Sequence, residues 1–320
     1  MKQSLDHLPD GKRRELAFVV ETLQATFARA IAHRTQQRYR NGRLLKIVLF
    51  DSYARGDWIE DPAGRYFSSY DLLVVVNHPD LTDLDEFWSK ADCAFLDELS
   101  NGNRLRTQTN FIVHDLDDVN EQLRSGRLFF TEMLREGVIL FEEPDFPFAA
   151  PTAIPAAAAC SEAKRYVDDW LPSSRALSKL ASTAQELSRP REAAFLLHQA
   201  AEKAYHGLIL ILTRYSARTH RLTLLRDRAE ALDERLRGLW PRERKFDRKC
   251  FNLLQRAYIE ARYSPDYSIS DEQLAWLTER VGVLQAAVST IATERIEALG
   301  VGTRNSERLD ARFMTPFDAH

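Results

Sequence analysis

The sequence predicts an α+β chain of two domains, an N-terminal mixed sheet with helices followed by an all-α helical bundle. Three observations predict it. Over the first 143 residues, apolar runs of strand length alternate with segments of helical periodicity. A stretch without periodicity and with four prolines, "EEPDFPFAAPTAIPAAAA" (142–159), comes next. Every segment beyond it reads as helix. The 320 residues suffice for two domains with cores of their own. A net charge of −3, from 44 basic and 47 acidic residues, argues against a protein that coats nucleic acid wholesale and leaves room for a local basic patch. Cys93, Cys160 and Cys250 are far apart and not near histidine clusters, so the sequence supports neither a disulfide framework nor a zinc site. A reducing cytoplasm is the simpler expectation. The first residues, "MKQSLDHLPDGKRREL", hold no signal-peptide core, and the longest apolar run, "GLILIL" (207–212), is too short to span a bilayer.

Taken in order, Leu16, Val19, Val20, Leu23, Phe27 and Ile31 recur at three-and-four spacing and predict an amphipathic helix over 12–38. A buried strand follows at 44–50. The near-continuous apolar run at 70–76 predicts a strand covered on both faces. Residues 83–99 read as a helix with Asp83 as its cap. The β-branched and aromatic content of 107–114 predicts a third strand. "LDDVNEQLRSG" is a helix stopped at Gly126, and "FFTEMLREGVILFEE" a short helix ending at Gly137 and then an edge strand. These make a first domain at 1–143, with a linker at 144–159. The bundle at 160–299 reads as two helices broken around Pro172, a long one opened by Pro190, and three more. The last opens on a Ser270–Gln273 capping box. The polar residues 300–320 are expected to form a flexible tail.

The chemistry of the first domain centres on "LFDSYARGDWIEDPAGRYFSSYDLLVVV" (49–76). Nucleotidyl transfer needs a turn of backbone N–H groups to hold a triphosphate. It also needs carboxylates on an adjacent strand to hold magnesium. Period-two alternation puts Ser69 and Asp71 on one strand face. This stretch resembles the minimal nucleotidyltransferase family of the DNA-polymerase-β-like superfamily, over about residues 44–143. Ser52 and Gly56 match the family's turn, Arg55 a residue common in it, and Ser68, Asp71 and Leu72 its second motif. The resemblance implies Asp71 as catalytic residue and metal ligand. It implies Ser52, Arg55, Gly56, Ser68 and Ser69 as cofactor-binding residues, with Mg and ATP or another nucleotide as cofactors if the site is functional and none otherwise. The departures are Asp51 in place of the turn glycine, where its side chain would crowd and repel phosphate, and Ser69 in place of the first paired carboxylate. The third carboxylate position is best matched by Asn110. Asp57, Glu60 and Asp61 sit in the loop between the strands as possible substitutes. The bland alternative is a retained fold with a dead site.

In the bundle, "AAFLLHQAAEKAYHGLILILTRY…THRL" followed by "QRAYIEARYSPDYSIS" resembles the HEPN domain family over about residues 160–290. These helical bundles bind nucleotides or cleave RNA and are often paired with minimal nucleotidyltransferases. RNA-cleaving members place an arginine four to six residues before a histidine, the first for phosphate charge and the second for acid–base work. Arg214 and His220, in "RYSARTH", fit that spacing, and His220 could equally cap a helix end. Arg262 is the alternative catalytic arginine, with no histidine at that spacing after it. His198, Gln199 and Glu202 form a polar stripe that could line a groove or be a solvated face. The basic run at 241–249 could steer phosphate; its plainer reading is a solvated helix start. Trp170, Trp240 and Trp276 read as core or interface anchors. The resemblance implies a homodimer through the helical domain, with nucleotide and RNA as partners and no membrane. The leading expectation is a toxin–antitoxin-like or defence-related fusion in which an impaired nucleotidyltransferase domain is coupled to an RNA- or nucleotide-directed HEPN domain. The alternatives are an active Mg-dependent nucleotidyltransferase moving AMP, and a non-enzymatic nucleotide-binding or scaffolding dimer.

Overall fold

The computed structural model describes residues 1–62 and 66–313, with side chains for those outside 66 and 302–313. The chain is α+β and divides into two compact units, Met1–Ala153 and a second that begins at Ile154.

The first unit is built on β1 (Leu44–Phe50), β4 (Tyr70–Val76), β5 (Thr109–Asp115) and β6 (Val138–Glu142), in the order β5-β4-β1-β6. β1 runs antiparallel to both β4 and β6, and β4 runs parallel to β5, so the sheet is mixed. β6 is an edge. The apolar runs explain the middle of the sheet: every residue of β1 is buried, and so is all of β4 except Asp71. A two-stranded hairpin, β2 (Glu60–Asp61) with β3 (Tyr66–Phe67), joins β1 to β4. The helices are α1 (Asp10–Ile31), the four-residue α2 (Gln37–Arg40) and α3 (Ser52–Arg55), then α4 (Ser89–Asn101), α5 (Leu116–Arg124) and α6 (Leu128–Glu136). α1 buries Leu16, Val19, Leu23 and Phe27 in the core, and Phe27 stacks on Trp88 at 4.9 Å. It stops seven residues short of the expected end because "HRTQQRYR" (33–40) supplies no aliphatic side chain to continue the buried stripe. Asp83 caps its helix, accepting from the Glu86 N–H at 2.9 Å, and the first turn is a π turn, Leu84–Trp88.

The second unit is helical: α7 (Ala156–Glu186), α8 (Pro190–Thr213), α9 (Leu222–Leu232), α10 (Lys245–Tyr263) and α11 (Asp271–Phe313). α8 is its centre. Alanine and aliphatic residues bury it nearly all round, from Ala193 through Leu197, Ala201 and Leu208 to Ile211. A Cβ on Gly207 would lie 2.8 Å from the Cβ of Trp170, so glycine there lets α7 and α8 close on each other. The capping box forms: the Ser270 N–H donates to Gln273 Oε1 at 3.0 Å, and the Gln273 N–H to Ser270 Oγ at 3.3 Å.

Three expectations are corrected here. α7 runs unbroken through Pro172. Packing on α8 outweighs the lost hydrogen bond, with Leu171 and Ser174 buried and Ser174 Oγ donating to the Ala200 carbonyl at 2.7 Å. α7 also takes in the last residues of the expected linker, since 156–159 are four alanines and favour helix. The tail expected to be flexible is helical from 300 to 313, and 314–320 lie outside the described residues. Among the described residues, no helix is long and apolar enough to cross a membrane.

Candidate active site

Two places gather the residues singled out above, one in each unit. In the first, β1 delivers the chain to Asp51 at φ 66° and ψ −146°, a region that glycine occupies readily and other residues rarely. The buried Asp51 carboxylate accepts from Arg55 Nη1 at 2.9 Å, and Arg55 Nε donates to Asp57 at 3.1 Å. Burial opposes the charge on Arg55, but the Asp51 and Asp57 carboxylates outweigh it and hold the guanidinium protonated. Ser52 starts the single turn of α3, and Gly56 ends it at φ 100°.

At the start of β4 the parallel register sets Asp71 opposite Asn110. Ser69 Oγ donates to Asp71 Oδ2 at 3.2 Å. Asn110 Nδ2 donates to Ser69 Oγ at 3.0 Å and to Asp71 Oδ1 at 3.3 Å. Ser69, Asp71 and Asn110 thus converge, and two of the three are neutral. Ser68 faces the loop and accepts the Ile59 N–H at 2.9 Å. Two of the loop carboxylates are turned elsewhere: Glu60 pairs with Lys12 and accepts from the Tyr53 hydroxyl at 3.4 Å, and Asp57 serves Arg55. Among the described residues, no group of three or more His, Cys, Asp or Glu side chains is placed to hold a metal. One carboxylate, one hydroxyl and one amide fall short of the acidic oxygens that a pair of magnesium ions takes.

The second place lies where α8, the loop after it and α10 meet. α8 ends at Arg214, which takes the left-handed conformation at φ 60° and turns the chain back. His206 pins the returning loop: Nδ1 accepts the Ser216 hydroxyl at 2.6 Å, and Nε2–H donates to the Thr219 carbonyl at 3.0 Å. Burial lowers the His206 pKa, which favours the neutral ring. The pinned loop sets His220 against α8, with Nδ1 3.1 and 3.2 Å from the two oxygens of Glu202. A carboxylate can only accept, so Nδ1 carries the proton and Nε2 is left for other chemistry.

Behind His220 the expected polar stripe is a buried wall. His198 is fully buried, its Nδ1 3.6 Å from Glu202, and Gln199 Nε2 donates to Glu202 Oε2 at 3.2 Å. Burial raises the Glu202 pKa, with His220 opposing, and drives that of His198 down to about 4. His220 itself is half exposed and stacks on the Tyr258 ring at 4.3 Å and 16°.

Arg262, one turn along α10, lies over the same ring at 4.7 Å and donates from Nε to the Tyr258 carbonyl at 2.7 Å. It also lies 5.0 Å from the Phe195 ring. Arg191, at the start of α8, holds the end of α10 in place, donating to the carbonyls of Ala261 at 3.1 Å and Glu260 at 3.3 Å. The structure therefore gathers His220 and Arg262 at Tyr258, while Arg214 forms the helix end. Sequence reasoning missed Tyr258. Its one local signal is the i,i+4 spacing to Arg262, which puts ring and guanidinium on one helix face. The basic run at 241–249 is partly spent internally, Arg242 on Glu230 at 3.0 Å and Arg248 on the Arg242 carbonyl at 2.7 Å. Trp240 is core, donating from Nε1 to the Tyr205 hydroxyl at 2.7 Å.

No curated protein matches the chain. Residues 167–288, from within α7 to within α11, match a family model described as the HEPN domain. The matched residues all lie within the helical unit.

Proposed function

We propose that this protein is an RNA-directed HEPN protein of the toxin–antitoxin or defence kind, with His220 as its acid–base residue. The observation that carries the reading is the Glu202–His220 pair: a mostly buried carboxylate holds Nδ1 of a half-exposed imidazole, and Nε2 is not used in that contact. Arg262 supplies the cation for the phosphodiester, and Tyr258 fixes both groups. In the reaction, an RNA 2′-hydroxyl attacks phosphorus, the O2′–P bond forms and the P–O5′ bond breaks. Nε2 of the neutral His220 ring takes the proton from O2′ as the O2′–P bond forms and hands it to O5′ as the P–O5′ bond breaks. A homodimer through the helical unit belongs to this reading.

The N-terminal unit is read as a nucleotidyltransferase-like partner domain with an impaired site. Its turn carries the Asp51 charge, already paired with Arg55, where a triphosphate would need N–H groups alone. Its strand face offers Asp71 with Ser69 and Asn110. A regulatory part suits those residues better than AMP transfer. The test is incubation of the full chain with single-stranded RNA in EDTA, with analysis of the product ends. Products with 2′,3′-cyclic phosphate and 5′-hydroxyl ends, absent with His220→Ala, are expected. Intact RNA, or equal cleavage by His220→Ala, overturns the reading.

A further inference from the structure

The N-terminal unit holds a cleft that neither motif touches. Between the first turns of α1 and the loop before β5 is a space of about 560 Å³, lined by Gly11, Arg14, Glu15 and Phe18 on one side and Arg104 and Arg106 on the other. That volume lies in the ~300–1,000 Å³ range of small-molecule sites.

Its lining carries three arginines against one glutamate, and the carboxylates nearby are already engaged. Glu15 Oε2 accepts the backbone N–H groups of Arg106 at 3.3 Å and Thr107 at 3.1 Å. Glu98, beneath the loop, accepts those of Asn103 and Arg104, both at 2.8 Å, and meets the Arg104 guanidinium at 3.4 Å. These bonds lower the Glu98 pKa, the one from Arg104 N–H most, so it stays ionised and keeps the loop in shape. Arg14 and Arg106 are exposed, and among the described residues no carboxylate lies at ion-pair distance from either guanidinium. Arg104 adds a flat surface: its guanidinium carbon is 4.2 Å from the Phe18 ring centre, and its side chain is 65% exposed. One face of the guanidinium rests on Phe18, and most of the side chain is exposed to solvent. A guanidinium plane is a stacking surface for a nucleobase, and paired arginines recognise phosphate by bidentate hydrogen bonds.

We propose that this cleft binds a mononucleotide, with the base stacked on the Arg104 guanidinium and the phosphate held between Arg14 and Arg106. Such a site gives the N-terminal unit a nucleotide-responsive surface that needs neither the Asp51 turn nor Asp71. It is independent of the RNA-cleaving reading of the helical unit.

The test is isothermal titration of the full chain with AMP in EDTA. Binding is expected, with adenosine and inorganic phosphate each at least tenfold weaker. Arg14→Ala/Arg106→Ala and Arg104→Ala should each weaken AMP at least tenfold, while Asp71→Asn and His220→Ala bind as the parent does. All three arginines are exposed, so their replacement leaves the core intact. No heat with AMP, equal binding by the double variant, phosphate binding as tightly as AMP, or loss confined to Asp71→Asn would each overturn the proposal. So would a single-stranded RNA oligonucleotide that binds through these arginines while AMP does not.

Discussion

Replacing Asp51 by glycine and, separately, by alanine separates backbone strain from charge at the phosphate-type turn. Both variants lose the carboxylate and its bond to Arg55, so that loss cancels when the two are compared. What differs is the backbone. At φ 66° and ψ −146°, a residue with a Cβ costs about 1–3 kcal/mol that glycine does not. Glycine gives back about 0.5–1 kcal/mol through its greater freedom in the unfolded chain. The glycine variant is therefore expected to be the more stable by about 1–2 kcal/mol. Against the parent, the ion pair with a 35% exposed Arg55 contributes at most about 1 kcal/mol, so Asp51→Gly should cost little or nothing. Two units need not unfold together, so a single fluorescence transition would blur the comparison. Hydrogen exchange of the β1 amides under increasing urea reads the N-terminal unit alone. An alanine variant as stable as the glycine variant would refute strain at this position.

His198 makes the helical unit acid-sensitive. Its folded pKa of about 4 lies below the unfolded value, so its contribution is complete above pH 6.5 and is lost as pH falls toward 4. Stability should drop by up to about 3 kcal/mol across that window, and His198→Asn should flatten the drop in urea titrations. Pro172→Ala restores a backbone donor inside α7 and should raise stability by about 1–3 kcal/mol in calorimetry; a lower transition temperature would show that the proline is needed for the packing on α8. His206→Ala frees the 214–221 loop without touching Glu202 or Tyr258, so it should reduce RNA cleavage at least tenfold and leave the circular dichroism spectrum unchanged.

Local signals carried much of the fold. The apolar runs at 44–50 and 70–76 mark the two central strands, and Ser270 with Gln273 marks the start of α11. Two local signals misled. Pro172 reads as a break, because the packing of α7 on α8 that overrides it involves residues far along the chain. The polar stretch after Gly300 reads as loose, although its Arg, Glu, Leu and Ala residues have high helix propensity. The candidate site was legible in parts. Arg214 and His220 stand out by spacing, but Glu202 is 18 residues from His220 and Tyr258 is on another helix, so their meeting is a tertiary fact. The choice between the two arginines turns on tertiary structure in the same way. Sequence distance favours Arg214 as partner of His220, while the fold brings Arg262 to the ring on which His220 stacks.

The most direct measurement is the rate of single-stranded RNA cleavage in EDTA by the full chain and by His220→Ala, Arg262→Ala and Arg214→Ala, side by side. The expected order is cleavage by the parent, loss of about 10²–10⁴-fold in His220→Ala, a similar fall in Arg262→Ala and a smaller one in Arg214→Ala. No cleavage by the parent, full cleavage by His220→Ala, or a loss in Arg214→Ala that exceeds the loss in Arg262→Ala would contradict a site built from His220, Glu202, Tyr258 and Arg262.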